Sequence, residues 1–314
     1  MVTETTPASS RPVTSSEAPS GSKIVLGQNQ YGKAEVRVVR VSRDTERHSI
    51  EDLNVSSQLH GDFLSAHTEG NNEHVVATDT QKNTIYAFAR ERVGSPEEFL
   101  LRLADHFTGE FDWVSGGRWE AEQYGWQRIE DHDHSFVRDN REVRTAVVVA
   151  DGDRRTVVSG VQDLTVLKTT QSGFEGYPKD RYTTLAETND RIMSTDVKAR
   201  WRFADGAEVD YNAVYDDVTS ILLAKFGEKY SSALQQTMFD MGKAVLEAHP
   251  EIAEIKLSLP NNHHFVIDLS FCGLDNPNVV FHADDRPYGF IEATVRREDS
   301  DDASAVWELI PGFC

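Results

Sequence analysis

The chain has 314 residues, enough for one large or two medium domains with a sizeable core, which excludes a small disulfide-stapled scaffold. Hydrophobic residues make up 39% and charged residues 27%, a globular composition and not that of a disordered chain. The net charge of −20 repels phosphate backbones, so nucleic acid is not an expected partner, yet a few desolvated cations in a pocket can still hold a small anion.

The first 22 residues are rich in Ser, Thr and Pro without the apolar run of a secretion signal, and read as a flexible leader. No uncharged stretch approaches the roughly 18 residues of a membrane span. Two cysteines, Cys272 and Cys314, are too few for a disulfide framework and match no zinc spacing. These features predict a cytoplasmic protein with no membrane partner.

After the leader, Lys33 to Ser42 reads as a strand, with Val36, Val38, Val39 and Val41 in a β-branched run. A polar turn at Arg43-Asp44-Thr45 leads to a second strand through Ile50 and Leu53. Thr78 to Arg90 reads as a helix that Thr78 or Asp79 can cap. Ser95-Pro-Glu-Glu starts another, with Ser as cap, Pro at the first helical position, and Phe99, Leu100, Leu103 and Phe107 on one face. Trp113 to Ile129 and Phe136 to Val149 return to strand composition.

The second half repeats this order. Val157 to Thr169 and Val197 to Phe203 are predicted strands, followed by helices from Tyr211 to Lys225 and around Leu234 to Leu246. Glu254 to Leu259, Phe265 to Ser270 and Phe290 to Arg296 are the closing extended segments. Strands before and after a helix pair predict an α+β fold with antiparallel sheets and helices on one face. Each half then keeps a bare sheet face, and closing a barrel between subunits is one way to cover it.

Asp131-His132-Asp133-His134 offers alternating metal ligands, but strand geometry would send the His and Asp residues to opposite faces, and a polar turn is the ordinary reading. His263 and His264 likewise face opposite ways on a strand, so one of them can serve a given pocket. No GxGxxG after a strand, phosphate loop or GxSxG elbow is present, so the chain carries no organic-cofactor fingerprint.

The segments YGKAEVRVVRV (31 to 41), VVATDTQKNTIYAFA (75 to 89), LTVLKTTQSGFEGY (164 to 177), RYTTLAETNDRIMSTDV (181 to 197), LQQTM (234 to 238) and SLPNNHHFVIDL (258 to 269) resemble the urate oxidase (uricase) family, in collinear order from about Gly27 to Arg297. The resemblance implies two tandem T-fold domains, 23–154 and 155–299, each a four-stranded antiparallel sheet with two helices, between the leader at 1–22 and a C-terminal tail at 300–314. It implies a tunnel-shaped homotetramer and oxidation of urate by dioxygen and water to 5-hydroxyisourate and hydrogen peroxide, with no metal or organic cofactor.

The family's site residues fall on matching positions. Arg191 would grip a urate carbonyl and the adjacent nitrogen with its planar fork, and Gln235 would read a neighbouring C=O and N–H with one amide. Phe174 would stack on the purine, and the backbone N–H groups of Asp79 and Leu234, at helix starts, would add donors. Lys33, Thr78 and His263 would form a proton relay, with Asn261 holding dioxygen or water above the ring. Read without the family, Arg191 is a surface ion pair, Gln235 a solvated helix position and Phe174 core. Both halves serve one pocket in the family, which implies a site built across a subunit interface.

The chain ends Pro-Gly-Phe-Cys, without a Ser-Lys-Leu peroxisomal address, and Leu234 stands where Val is common. Two rival readings are a non-catalytic purine-binding T-fold protein and a zinc-dependent T-fold enzyme acting on a pterin.

Overall fold

In the computed structural model, residues 23–310 are described. The leader expected at 1–22 and Cys314 lie outside them. Strands β1 (Tyr31–Ser42) and β2 (Ser49–Gly61) open the fold, and a short helix α1 (Leu64–Glu69) follows. Helices α2 (Thr78–Glu91) and α3 (Pro96–Glu110) then lead into strands β3 (Val114–Arg128) and β4 (Phe136–Asp151). Strands β5 (Arg154–Lys168) and β6 (Met193–Phe203), helices α4 (Tyr211–Glu228) and α5 (Leu234–Ala248), and strand β7 (Ile252–Ser258) repeat the pattern. Strands β8 (Asn261–Val266), β9 (Phe281–Gly289) and β10 (Glu292–Arg296) and a last helix α6 (Ser304–Glu308) complete it.

All ten strands join one antiparallel sheet in the order β1-β2-β3-β4-β5-β6-β7-β10. The start of β8 pairs with β6, and β9 pairs with β8 as an arm. β4 and β5 form a hairpin across residues 152 and 153, so the sheet continues through the predicted boundary. One face carries α2 to α5 over a single core that runs from Val36 to Val295. Trp119, Phe107, Leu103, Met193 and Trp201 there are fully buried, each contributing roughly 1.5–3 kcal/mol or more through lost contact with water.

Start signals act as read at α3, where Ser95 and Glu98 form a reciprocal capping box and Pro96 takes the first turn. At α2 they do not. Ala77 occupies the cap position and Thr78 is the first helical residue, so neither Thr78 nor Asp79 caps this helix. The carbonyl of Val76 explains the register: Tyr31 Oη donates to it at 3.1 Å and Gln81 Nε2 at 3.4 Å, pinning the chain one residue before the Ala77 cap.

Two features lie beyond the sequence reading. The arm strand β9 was not predicted, and the segment expected as a tail from residue 300 is anchored on the helix-free face. There Val306, Trp307 and Ile310 bury Val147, Val149 and Val158, the outward alternates of β4 and β5. Arg202, fully buried, donates to Glu254 at 2.6 Å and to Asp301 at 2.8 Å, and Trp307 donates to Glu254 at 3.0 Å. That face is therefore partly covered by the chain's own end.

Candidate active site

At one corner of the sheet, β1 carries Lys33 beside a bulge. The register shifts between Lys33 and Val36, Glu35 sits at φ 56°, and its N–H bonds Ser56 Oγ at 3.0 Å. A bulge of this kind turns the strand and re-aims the neighbouring side chain. Just before it, Gly32 approaches β2 so closely that a Cβ would lie 1.8 Å from the Ser57 carbonyl oxygen. The start of α2 packs on β1, and Asp79 lies near enough for the Lys33 charge to favour its carboxylate. The larger influence is Lys82, bonded to Asp79 at 2.5 Å, which holds that carboxyl below the usual range. The Asp79 N–H lies in the first helical turn, where no intrahelical carbonyl reaches it.

The second cluster gathers where β5 ends and β6 begins. Phe174 and Arg191 lie on the excursion between those strands, closed by paired backbone bonds between Phe174 and Thr188 at 2.7 and 3.2 Å. The Arg191 backbone is held from both sides, its N–H by the Ser172 carbonyl at 2.9 Å and its carbonyl by Ser172 Oγ at 2.8 Å. Its guanidinium stands 5.6 Å from the Phe174 ring centroid, and Phe174 stacks on Tyr177. Among the described residues, Nε of Arg191 is buried without a hydrogen-bond partner and the guanidinium has no carboxylate partner. Burial draws its proton affinity below the ordinary arginine value.

β8 enters the same cluster through its pairing with β6, Asn261 opposite Thr195. His263, two residues on, stacks on Phe265 and faces Asp284 across the β8–β9 ladder. Burial first, then the Arg191 charge, lowers the His263 proton affinity, while Asp284 opposes them. The alternates Asn262 and His264 line a separate cleft of about 500 Å³ with Asp196 and Tyr288, as strand geometry requires. Leu234, buried, and Gln235, exposed, open α5, and Ser231, three residues before Leu234, is bonded to Gln171 and Gly173.

The register separates the two clusters. Lys33 pairs with Ser57, then in successive strands Trp119, Val148 and Val157, and Lys168 stands eleven residues beyond Val157 on β5. At 3.4 Å per residue that is about 37 Å along the strands, and β6 is also five strand spacings, roughly 24 Å, from β1. One chain therefore cannot bring Lys33 and Thr78 to Arg191 and His263.

The other sequence candidates resolve simply. Asp131 and Asp133 lie in the turn between β3 and β4, where both pair with Arg47, so the Asp-His repeat is a polar turn. Cys272 is exposed and free. Among the described residues no three His, Cys, Asp or Glu side chains converge as a metal site. Ser172, Tyr230 and Ser231, which hold the second cluster's loops together, were not singled out from sequence, since only the fold brings residues 40 to 60 apart into contact.

Comparison with known proteins agrees with this architecture. The uricase family model matches residues 29–149 and 157–292. Arthrobacter globiformis uricase is 61% identical over 95% of this chain and 98% of its own length, and Dictyostelium discoideum uricase is 39% identical over 88% and 98%. The crystal structure of the Arthrobacter globiformis uricase superposes with a TM-score of 0.90 at 62% identity, over 91% of this chain and all of that one. A Bacillus uricase structure superposes at 0.71 with 25% identity, over 88% and 95%. By family match, sequence identity and shared fold, the chain belongs to the uricase family.

Proposed function

We propose that the chain is a urate oxidase that needs no metal or organic cofactor and uses dioxygen as electron acceptor. Two electrons leave the purine for dioxygen, which departs with two protons as hydrogen peroxide, and water supplies the hydroxyl of 5-hydroxyisourate. The observation that carries this reading is the Arg191 guanidinium, held by its backbone over Phe174 with no carboxylate among the described residues to answer its charge. A partly buried cation without a counter-ion is costly, and a planar anion bonded bidentately would relieve it.

In this reading Arg191 and Gln235 hold the edge of urate, Phe174 stacks on its ring, and the Leu234 N–H adds a donor at the start of α5. His263 stays neutral near pH 7 because its proton affinity is lowered, which suits it to accept a proton, and Asn261 holds dioxygen or water. Lys33 and Thr78, with the Asp79 N–H, complete the relay from a second copy of the chain.

Several features support that assembly. The two clusters lie at opposite ends of one sheet, so an antiparallel pair of chains would join each half-site to its complement. The repeated order of two strands, two helices and two strands supports tandem T-fold domains meeting at the β4–β5 hairpin, within a homotetramer. The test is loss of urate absorbance in air with a chelator present, with hydrogen peroxide followed in parallel. Loss with one peroxide per urate is expected. Binding without loss would favour the purine-binding rival, and activity abolished by the chelator would revive the zinc enzyme.

A further inference from the structure

We infer that Lys168 is a positioning residue for the urate-holding side chains, an inference that rests on the function proposed above. Phe174, Arg191 and the Leu234–Gln235 pair come from three separate segments, the first two on irregular chain. What joins the segments is a hydrogen-bonded hub around Ser231. Its N–H bonds the Gln171 carbonyl and its carbonyl accepts the Gly173 N–H, both at 2.9 Å, which fixes the residue before Phe174. Its hydroxyl lies 2.6 Å from Thr237 Oγ1 on the first turn of α5, which ties in Leu234 and Gln235. Ser172, between the two bonded residues, grips the Arg191 backbone. Tyr230 Oη donates to the Asn189 carbonyl at 3.1 Å, and it occupies the space a Cβ at Gly173 would need, 2.1 Å away.

Lys168 is the keystone of this hub. It is the last residue of β5 and pairs with Met193, the first of β6, so it stands at the root of the excursion that carries Phe174 and Arg191. Nζ donates to Ser231 Oγ at 2.7 Å and to the Lys229 carbonyl at 3.0 Å, over the Phe226 ring. Among the described residues the ammonium has no carboxylate partner. Its donors are committed to neutral oxygens of the segment that starts α5, which is the arrangement of a brace and not of an ion pair.

The hub touches the segments that hold urate and none of those that carry Lys33 or Thr78. Loosening it should therefore weaken binding in ground and transition states alike, raising KM with little change in kcat. Lys168→Met is expected to raise KM for urate, and its Kd measured by anaerobic calorimetry, about 10- to 100-fold with kcat kept within about 3-fold. Lys168→Arg, which can still donate to both oxygens, should recover most of the affinity. Ser231→Ala, a smaller change should Lys168→Met fail to fold, should shift Kd in the same direction.

Unchanged Kd in folded Lys168→Met or Ser231→Ala would overturn the inference, as would Lys168→Arg binding no better than Lys168→Met. A lowered Tm at unchanged Kd would overturn it too, leaving only a structural role. The unaltered chain run alongside separates the two levels. If it does not bind urate, the proposed function fails and takes this inference with it. If it binds and the variants match it, only the role of Lys168 fails.

Discussion

The two half-sites are built differently. Lys33, Thr78 and Asp79 stand at an edge strand and a helix start, on regular elements whose position is set by a bulge, a close glycine contact and two bonds to one carbonyl. Phe174 and Arg191 stand on a 24-residue excursion between paired strands, held by bonds to Ser172 and Ser231. Proton transfer needs few groups at the right spacing, which a strand and a helix turn supply. Recognition of a planar anion needs several groups converging from different directions, and irregular chain can supply them only when something braces it.

The sharpest break in this comparison is chemical. Lys33→Ala is expected to lower kcat about 10²–10⁴-fold with KM largely kept, since a general acid or base contributes that much. Neither Lys33→Ala nor Arg191→Ala should be active alone at low urate. If the half-sites meet across subunits, co-expressing the two variants restores roughly a quarter of the activity, because mixed pairs hold one intact site and one doubly altered site. No recovery from properly mixed oligomers would mean that each chain completes its own site, against the register.

A contrast of two arginines sharpens the binding side. Arg202 is fully buried with Glu254 and Asp301 as partners, whereas Arg191 has no carboxylate partner among the described residues. Arg202→Met strands Glu254, and should cost about 3–5 kcal/mol in denaturant unfolding without altering KM for urate. Arg191→Ala should leave unfolding nearly unchanged and weaken urate binding by about 1.5–3 kcal/mol, roughly 10- to 150-fold. If Arg191→Ala instead unfolds the chain, its charge is structural and the site reading loses its main support.

Much of the fold was legible because periodicity and start signals act locally. Val36 and Val38 are buried where the β-branched run predicted a strand, and Ser95 caps α3 as its spacing required. The arm strand β9 was hidden because Asp284, Asp285, Arg286 and Pro287 interrupt any alternation, and α1 because six residues with none buried leave no apolar stripe. The cap at α2 was misread because Tyr31, distant in sequence, helps fix the carbonyl that sets the helix start.

The site was legible only through the family resemblance. Pattern alone made Gln235 a solvated helix position, which matches its exposure, and made Arg191 a surface ion pair, whereas among the described residues it pairs with no carboxylate. What distinguishes Arg191 is the lack of a carboxylate partner among the described residues and a loop braced by the segment before a distant helix, and neither has a local sequence signature.

The smallest expected effect concerns His263. Its folded-state proton affinity is lowered by burial and by Arg191, so the imidazole stays neutral below its ordinary value of 6.5. The sign for stability follows: above 6.5 the group contributes nothing, and as pH falls below 6.5 the unfolded chain takes up the proton first, which destabilises the native state. In kcat/KM, protonation of His263 should appear as an acid limb below pH 6.5, lost in His263→Gln. Asp284 faces His263 across the ladder and favours its protonated form, whereas Arg191 and His264 disfavour it. Asp284→Asn should therefore move that limb to still lower pH, and an unmoved or raised limb would show that another group on the enzyme or the substrate sets it.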